Sequence, residues 1–130
     1  MADERLVALA RQLTQAAIDQ FGTLSAVVLE PQLESELGDA VIQTSDGAYL
    51  GLDPGRAELI VRAIRDEVEA AAQRGHRAAV VCSPKVRRHL RALVAYAMPR
   101  TAVLSYNEIL PSTHVDAVGT VALAVEGSVA

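Results

Sequence analysis

The sequence predicts a small α/β domain: a mainly parallel sheet of about four strands, flanked by helices and preceded by an N-terminal helix. Three observations carry that expectation. Short runs of Leu, Val and Ala alternate with segments of helical apolar spacing, the pattern of βαβ units. Two of those segments open on the same device, Asp53-Pro54 and Ser83-Pro84, a capping residue followed by proline. No repeat or low-complexity linker divides the 130 residues, 51% of which are apolar, so a single core is feasible. Residues 1–130 therefore read as one domain, with a leading helix over 3–22, a body over 23–124 and a frayed tail over 125–130.

Each element has its own reason. Leu6, Leu9, Leu13, Ala17 and Phe21 recur at helical spacing, with Asp3 as N-cap and Gly22 as stop. Leu24–Leu29 reads as a short buried strand. Pro31 opens a second helix with Leu33, Leu37 and Val41 on one face, weakened at Gly38 by about 1 kcal/mol against Ala. Thr44-Ser45-Asp46-Gly47 reads as a loop, and Tyr49–Leu52 as a short extended piece. Asp53-Pro54 starts the clearest helix. Its apolar stripe is Leu59, Ile60, Ala63, Ile64, Val68 and Ala71, and Gly75 ends it. Ala78–Cys82 is a second strand. Ser83-Pro84 repeats the cap, Val86, Leu90, Leu93, Val94 and Ala97 form the next face, and Pro99 closes it. Thr101–Ser105 is a third strand, and His114–Ala124 a fourth.

Composition excludes several functions. Aromatic residues make up only 3%: Phe21, Tyr49, Tyr96 and Tyr106. The core must be aliphatic, and a stacking platform for single-stranded nucleic acid is not expected. Net charge is −4, which disfavours a polyanion binder. The charge is nonetheless uneven. Residues 1–53 carry nine acidic and two basic side chains, residues 54–100 four acidic and ten basic, and residues 101–130 three acidic and none basic. That asymmetry suits self-complementary assembly, and equally two helices whose solvated faces differ in composition. The acidic start Met1-Ala2-Asp3-Glu4 is unlike a targeting peptide, and no apolar run is long enough to span a bilayer. A lone Cys82 permits no internal disulfide and suits a reducing compartment. The expectation is a cytoplasmic location without a membrane span.

Candidate chemistry is sparse. Cys82 and Arg88 form Cys-x5-Arg at a strand-to-helix junction, the outline of a cysteine phosphatase loop. Pro84 deletes one amide donor, no Gly turns the others inward, and His89 stands where a Ser or Thr would assist the leaving thiolate. A small cysteine-dependent phosphatase is thus the alternative function, and Cys82 as a core residue the simpler reading. His76, His89 and His114 lack metal-ligand spacing, so no metal or cofactor is expected. The basic run Lys85, Arg87, Arg88 and Arg91 opens a helix, where cations oppose the dipole. It reads as a solvated face or as a contact surface for an acidic partner.

Leu52-Asp53-Pro54-Gly55, then Ser83-Pro84, then Val103-Leu104-Ser105-Tyr106-Asn107-Glu108-Ile109 form an ordered set of landmarks. In that order and at those separations they resemble the C-terminal end of the FHIPEP family, the FlhA- and InvA-type export-gate proteins of flagellar and virulence type III secretion. The Leu-Ser-Tyr-Asn-Glu-Ile string is the most specific part. The likeness extends to Val27–Leu33, where the family has Asp-Pro-x-Leu-Glu and this chain has Glu30 in place of the Asp. It covers about residue 5 to residue 121.

The resemblance implies a non-enzymatic module of the export ring, the last of four cytoplasmic subdomains, with residues 3–21 similar to the helix ending the preceding one. It implies as partners the other subdomains and subunits of a nonameric ring. Export chaperones, substrates and other export-apparatus proteins are further candidates. The family's chaperone-docking cleft lies in earlier subdomains, so no substrate-binding residue carries over. Ser105, Tyr106, Asn107 and Glu108 lie at the carboxyl end of a strand, where partners commonly bind in parallel sheets; a turn joining two strands is the other reading. Together with Lys85, Arg87, Arg88 and Arg91 they are the candidate protein-binding residues.

Overall fold

Residues 23–109 and 113–123 are described by a computed structural model. The expected helix over 3–22 and the tail over 125–130 lie outside the described residues. In chain order the elements are β1 (Thr23–Leu29), α1 (Pro31–Ala40), β2 (Val41–Thr44), β3 (Gly47–Leu50), α2 (Pro54–Gln73), β4 (Ala79–Cys82), α3 (Pro84–Ala95), β5 (Val103–Ser105), a 3₁₀ turn (Tyr106–Glu108) and β6 (His114–Val121). The main sheet runs β5-β4-β1-β6, and every pairing in it is parallel. The expected α/β architecture is therefore present.

The sheet order follows from the connections. From β1 to β4 and from β4 to β5 the chain steps the same way, so α2 and α3 fall on one face under the right-handed crossover rule. The core records this. Val27, Val80, Cys82 and Val103 point toward Leu33 and Leu37 of α1, Ile60 and Ile64 of α2, and Val86, Leu90 and Val94 of α3. Alternate residues Leu24, Ala79 and Leu104 form a smaller cluster on the opposite face, beside Ala102 and Ile109. All the large core side chains are aliphatic, as the composition requires.

Helix starts and stops are only partly as expected. Asp53 caps α2, its carboxylate accepting from the N–H groups of Gly55 (3.1 Å) and Arg56 (3.2 Å). Gly75 ends α2 at φ +86°, a conformation that disfavours side chains with a Cβ. Ser83 makes no side-chain cap; instead the Glu34 carboxylate, from α1, accepts the Ser83 N–H. The cap of α3 is supplied across the tertiary structure. Leu59, assigned to the α2 stripe, is 47% exposed because Ile60 and Ile64 define the inward direction. Ala97 lies beyond α3 and is exposed. The third strand covers Val103–Ser105 rather than Thr101–Ser105, and the fourth ends at Val121.

The β2–β3 hairpin is the largest departure. Val41, expected on a helix face, begins β2 instead, and the Thr44–Gly47 loop is the tight turn of an antiparallel pair (Val41↔Leu50 to Thr44↔Gly47). This hairpin stands apart from the main sheet. Beyond Val41 the β2 side chains are exposed, and β3 alternates exposed and half-buried over only four residues, too short a run to mark a strand in the sequence.

An ion pair ties α1 to α2. Arg56 donates through Nε (2.7 Å) and Nη2 (2.6 Å) to the two oxygens of Glu36, and the pair is largely buried. The bond from Arg56 holds the Glu36 carboxyl below its ordinary range, against the opposing effect of its burial. A depressed native pKa gives stability that is present above the unfolded value and lost as pH falls through the native one. Arg56→Gln should therefore lower stability by about 1–2 kcal/mol near pH 7. That difference should vanish in acid once Glu36 is protonated in both states, as urea melts across pH 2–7 would show.

Candidate functional site

Four of the candidate residues converge where β4 and β5 end. Ser105 closes β5 and is buried, and the 3₁₀ turn follows at once. The Glu108 carboxylate folds back so that Oε1 accepts from the Ser105 N–H (2.9 Å) and the Ser105 hydroxyl (2.9 Å). This is the capping-box arrangement, here on a single turn. Asn107 Oδ1 also lies within hydrogen-bond reach of the Ser105 hydroxyl. Arg87 comes from α3 and its Nε–H is shared between Val103 O (3.1 Å) and Glu108 Oε1 (3.0 Å). The Glu108–Arg87 pair is more than two-thirds buried on both sides.

Glu34 joins this group from α1. One oxygen accepts the Ser83 N–H at the start of α3, and the other accepts from the Tyr106 hydroxyl at 3.4 Å. Burial, then the neighbouring Glu34 carboxylate, pushes the Tyr106 phenol above its ordinary range. Glu34 was not among the candidates. Its signal was present in the Pro31-Gln32-Leu33-Glu34 string, the part of the family pattern retained after the strand.

The basic run divides. Arg87 points to the strand ends, as above. Arg91 is half-buried, and its Nη1 is enclosed without a hydrogen bond. Lys85 and Arg88 are exposed, and neither forms an ion pair among the described residues. The candidates thus form two groups: a strand-end network, and an outward face of α3.

Cys82 does not have the environment of a nucleophile. It is fully buried in the main core, with Sγ 3.7 Å from the Leu104 carbonyl. Burial first, and the Glu34 carboxylate second, push its thiol up to about 12. Arg88 lies on the exposed side of α3, and Glu34 occupies the amide that a phosphate would need. The phosphatase alternative is not supported. At pH 8 a water-soluble disulfide reagent should leave Cys82 unmodified in the native protein and react with one thiol per chain once urea unfolds it. His76 lies 3.5 Å from the Ser25 hydroxyl, His89 lies within α3 and His114 begins β6. Among the described residues no three His, Cys, Asp or Glu side chains come together as metal ligands, and no helix is long and apolar enough to cross a membrane.

The sequence model of the FHIPEP family matches residues 2–114. The chain belongs to the FHIPEP family. It is 36% identical over 114 residues to the flagellar biosynthesis protein FlhA of Bacillus subtilis, covering 88% of this chain and 17% of that protein. Among solved structures it is similar to CdsV of Chlamydia pneumoniae, with a TM-score of 0.77 and 29% identity over 90% of this chain and 33% of that one. CdsV has also been solved in complex with CdsO. EscV, from a type III secretion system, is similar at TM-score 0.68 and 26% identity, over 90% of this chain and 34% of that one; its cytosolic domain is a nonamer. The FHIPEP chain described here spans under a fifth of FlhA and about a third of the solved CdsV chain. Its strand-end network includes the Ser105–Glu108 string that carried the family resemblance.

Proposed function

We propose that the chain is a non-enzymatic protein-binding and assembly module, the C-terminal cytoplasmic part of an export-gate protein of flagellar or virulence type III secretion. The observation that carries this reading is the continuous family match over residues 2–114. The nonameric EscV cytosolic domain and the CdsV–CdsO complex support a place in an export ring that also meets other apparatus proteins. On this reading residues 3–22 belong to the end of the preceding subdomain, and 23–124 form the last one at the cytoplasmic face of the membrane. Lys85, Arg88, Tyr106 and Asn107 are the outward members of the binding surface. Arg87, Arg91, Ser105 and Glu108 hold that surface in shape.

The buried Cys82 and the internal pairing of Arg87 and Glu108 are consistent with this role, because they take that thiol and that carboxylate out of use as nucleophile and base. The test is co-purification of the chain with the cytoplasmic part of an export-gate protein lacking its own last subdomain. Co-elution in size-exclusion chromatography, lost on Arg88→Glu, is the expected result. Independent elution, or turnover of an aryl phosphate that disappears in Cys82→Ser, would count against the proposal.

A further inference from the structure

The parallel sheet has two faces, and the described helices cover one of them. α1, α2 and α3 all pack on the face that carries Val27, Val80, Cys82 and Val103. The alternate residues Leu24, Ala26, Ala79, Val81 and Leu104 point the other way. Their pairing agrees, because Ala26 sits beside Ala79 and Val81 beside Leu104 in the ladders. Yet none of these five side chains is more than 2% exposed. Among the described residues only Ala102 and Ile109, which flank β5, pack beside them as further apolar groups. Two side chains at one edge do not keep water from five.

The limits of this buried strip show the width of what covers it. On the same face of β6, Val115 pairs with Leu24 and Ala117 with Ala26, but Val115 is 41% exposed and Ala117 is exposed as well. The cover therefore lies over β5, β4 and β1 and stops short of β6. With strands about 4.8 Å apart, that strip is about 10 Å wide, the diameter of one α-helix. The chain holds a segment to match. Leu6, Leu9, Leu13, Ala17 and Phe21 fall on one side of a helical wheel, with Arg11, Gln15 and Asp19 opposite. As a helix, residues 3–21 measure about 28 Å, against about 23 Å for the seven residues of β1. Only Gly22 separates them from Thr23, and so short a connection folds a helix back beside the strand it precedes. The other stretches outside the described residues, 110–112 and 124–130, reach at most about 10 Å as helix.

We infer that the second face of the sheet is the docking surface for residues 3–21 of the same chain, which lie on it as a helix through the Leu6–Phe21 stripe. The fold is then a three-layer sandwich in which this segment supplies one whole layer. A segment that resembles the end of the preceding subdomain has its apolar side spent on this one. The last subdomain is therefore clamped to what precedes it and does not swing as on a linker. The small side chains Ala26 and Ala79, adjacent at the middle of the strip, let the helix axis come close to the sheet. The inference concerns a single chain, so it stands or falls apart from the export-gate reading.

The test uses the whole chain and two independent readouts. In the unsubstituted, isotope-labelled protein, the ring of Phe21 and the methyls of Leu6, Leu9 and Leu13 should give nuclear Overhauser cross-peaks to the methyls of Ala79, Val81 or Leu104. Phe21 is the single phenylalanine, so its ring signals carry no ambiguity. Maleimide labelling of Leu13→Cys, Gln15→Cys and Val115→Cys reads the same contact by accessibility, with Cys82 enclosed in the core and giving no background. Gln15→Cys and Val115→Cys should react at the rate of a free thiol, and Leu13→Cys about 100-fold more slowly or less. Circular dichroism reports whether Leu13→Cys is folded, and the cross-peaks need no variant at all. Absence of every such cross-peak overturns the inference, as does labelling of folded Leu13→Cys at the rate of Gln15→Cys. Protection of Leu13→Cys that disappears on dilution overturns it too, in favour of cover by a second copy of the chain. Co-elution with an export-gate protein can fail while the cross-peaks are present, and the reverse, so the two readings are separately testable.

Discussion

Glu108→Ala is expected to lower stability by about 2–3 kcal/mol, the largest loss of any single polar substitution in the described residues. One carboxylate oxygen serves three donors: the Ser105 N–H, the Ser105 hydroxyl and Arg87 Nε. Truncation leaves a guanidinium that is three-quarters buried facing no carboxylate, and it frees the turn that closes β5. Glu108→Gln keeps an oxygen for Ser105 but loses the charge, so it should cost roughly half as much. Urea unfolding followed by circular dichroism distinguishes the three proteins. Equal stability of Glu108→Ala and the parent would show that the network contributes nothing net.

Ile64→Ala should cost about 3–4 kcal/mol, whereas Leu59→Ala, on the same helix, should stay within about 0.5 kcal/mol. Ile64 is fully buried against the sheet, and its truncation opens a cavity between α2 and the strands. Leu59 is almost half exposed. Periodicity alone places both in one stripe, so the pair separates the structure from the sequence pattern. Comparable losses at the two positions would mean that α2 is rotated from the orientation described.

What was legible in the sequence was what local physics decides. Asp53-Pro54, the Val-rich run at Ala79–Cys82 and the Gly75 stop each depend on residues next to one another, and each stands where expected. What was hidden depends on distant partners. Ser83-Pro84 looked like a self-sufficient cap, but its amide is taken by Glu34, a contact between α1 and α3 that no local window contains. The hairpin was hidden in part: Tyr49–Leu52 read as extended, but two strands of four residues, mostly exposed, are too short to carry a clear alternation. Within the candidate site the residue types were visible in advance, but their division was not. Arg87 and Arg91 sit four apart from one another, turned toward β5 and the interior, while Lys85 and Arg88 face outward. A helical wheel separates those faces only once the direction of the sheet is known.

The sheet order has a consequence for the making of the protein. β1 is central, yet its two neighbours are β4 and β6, and Thr23 to Leu29 meet His114 to Val121 only after every other element has been made. On the ribosome, the strand Thr23–Leu29 therefore waits with one edge unpaired while residues 30–113 are made. A strand that rich in Leu and Val is prone to pair with copies of itself during the wait. Chains halted before His114 should accordingly appear as aggregates bound by chaperones, and release of β6 should mark the moment at which the chain becomes resistant to proteolysis.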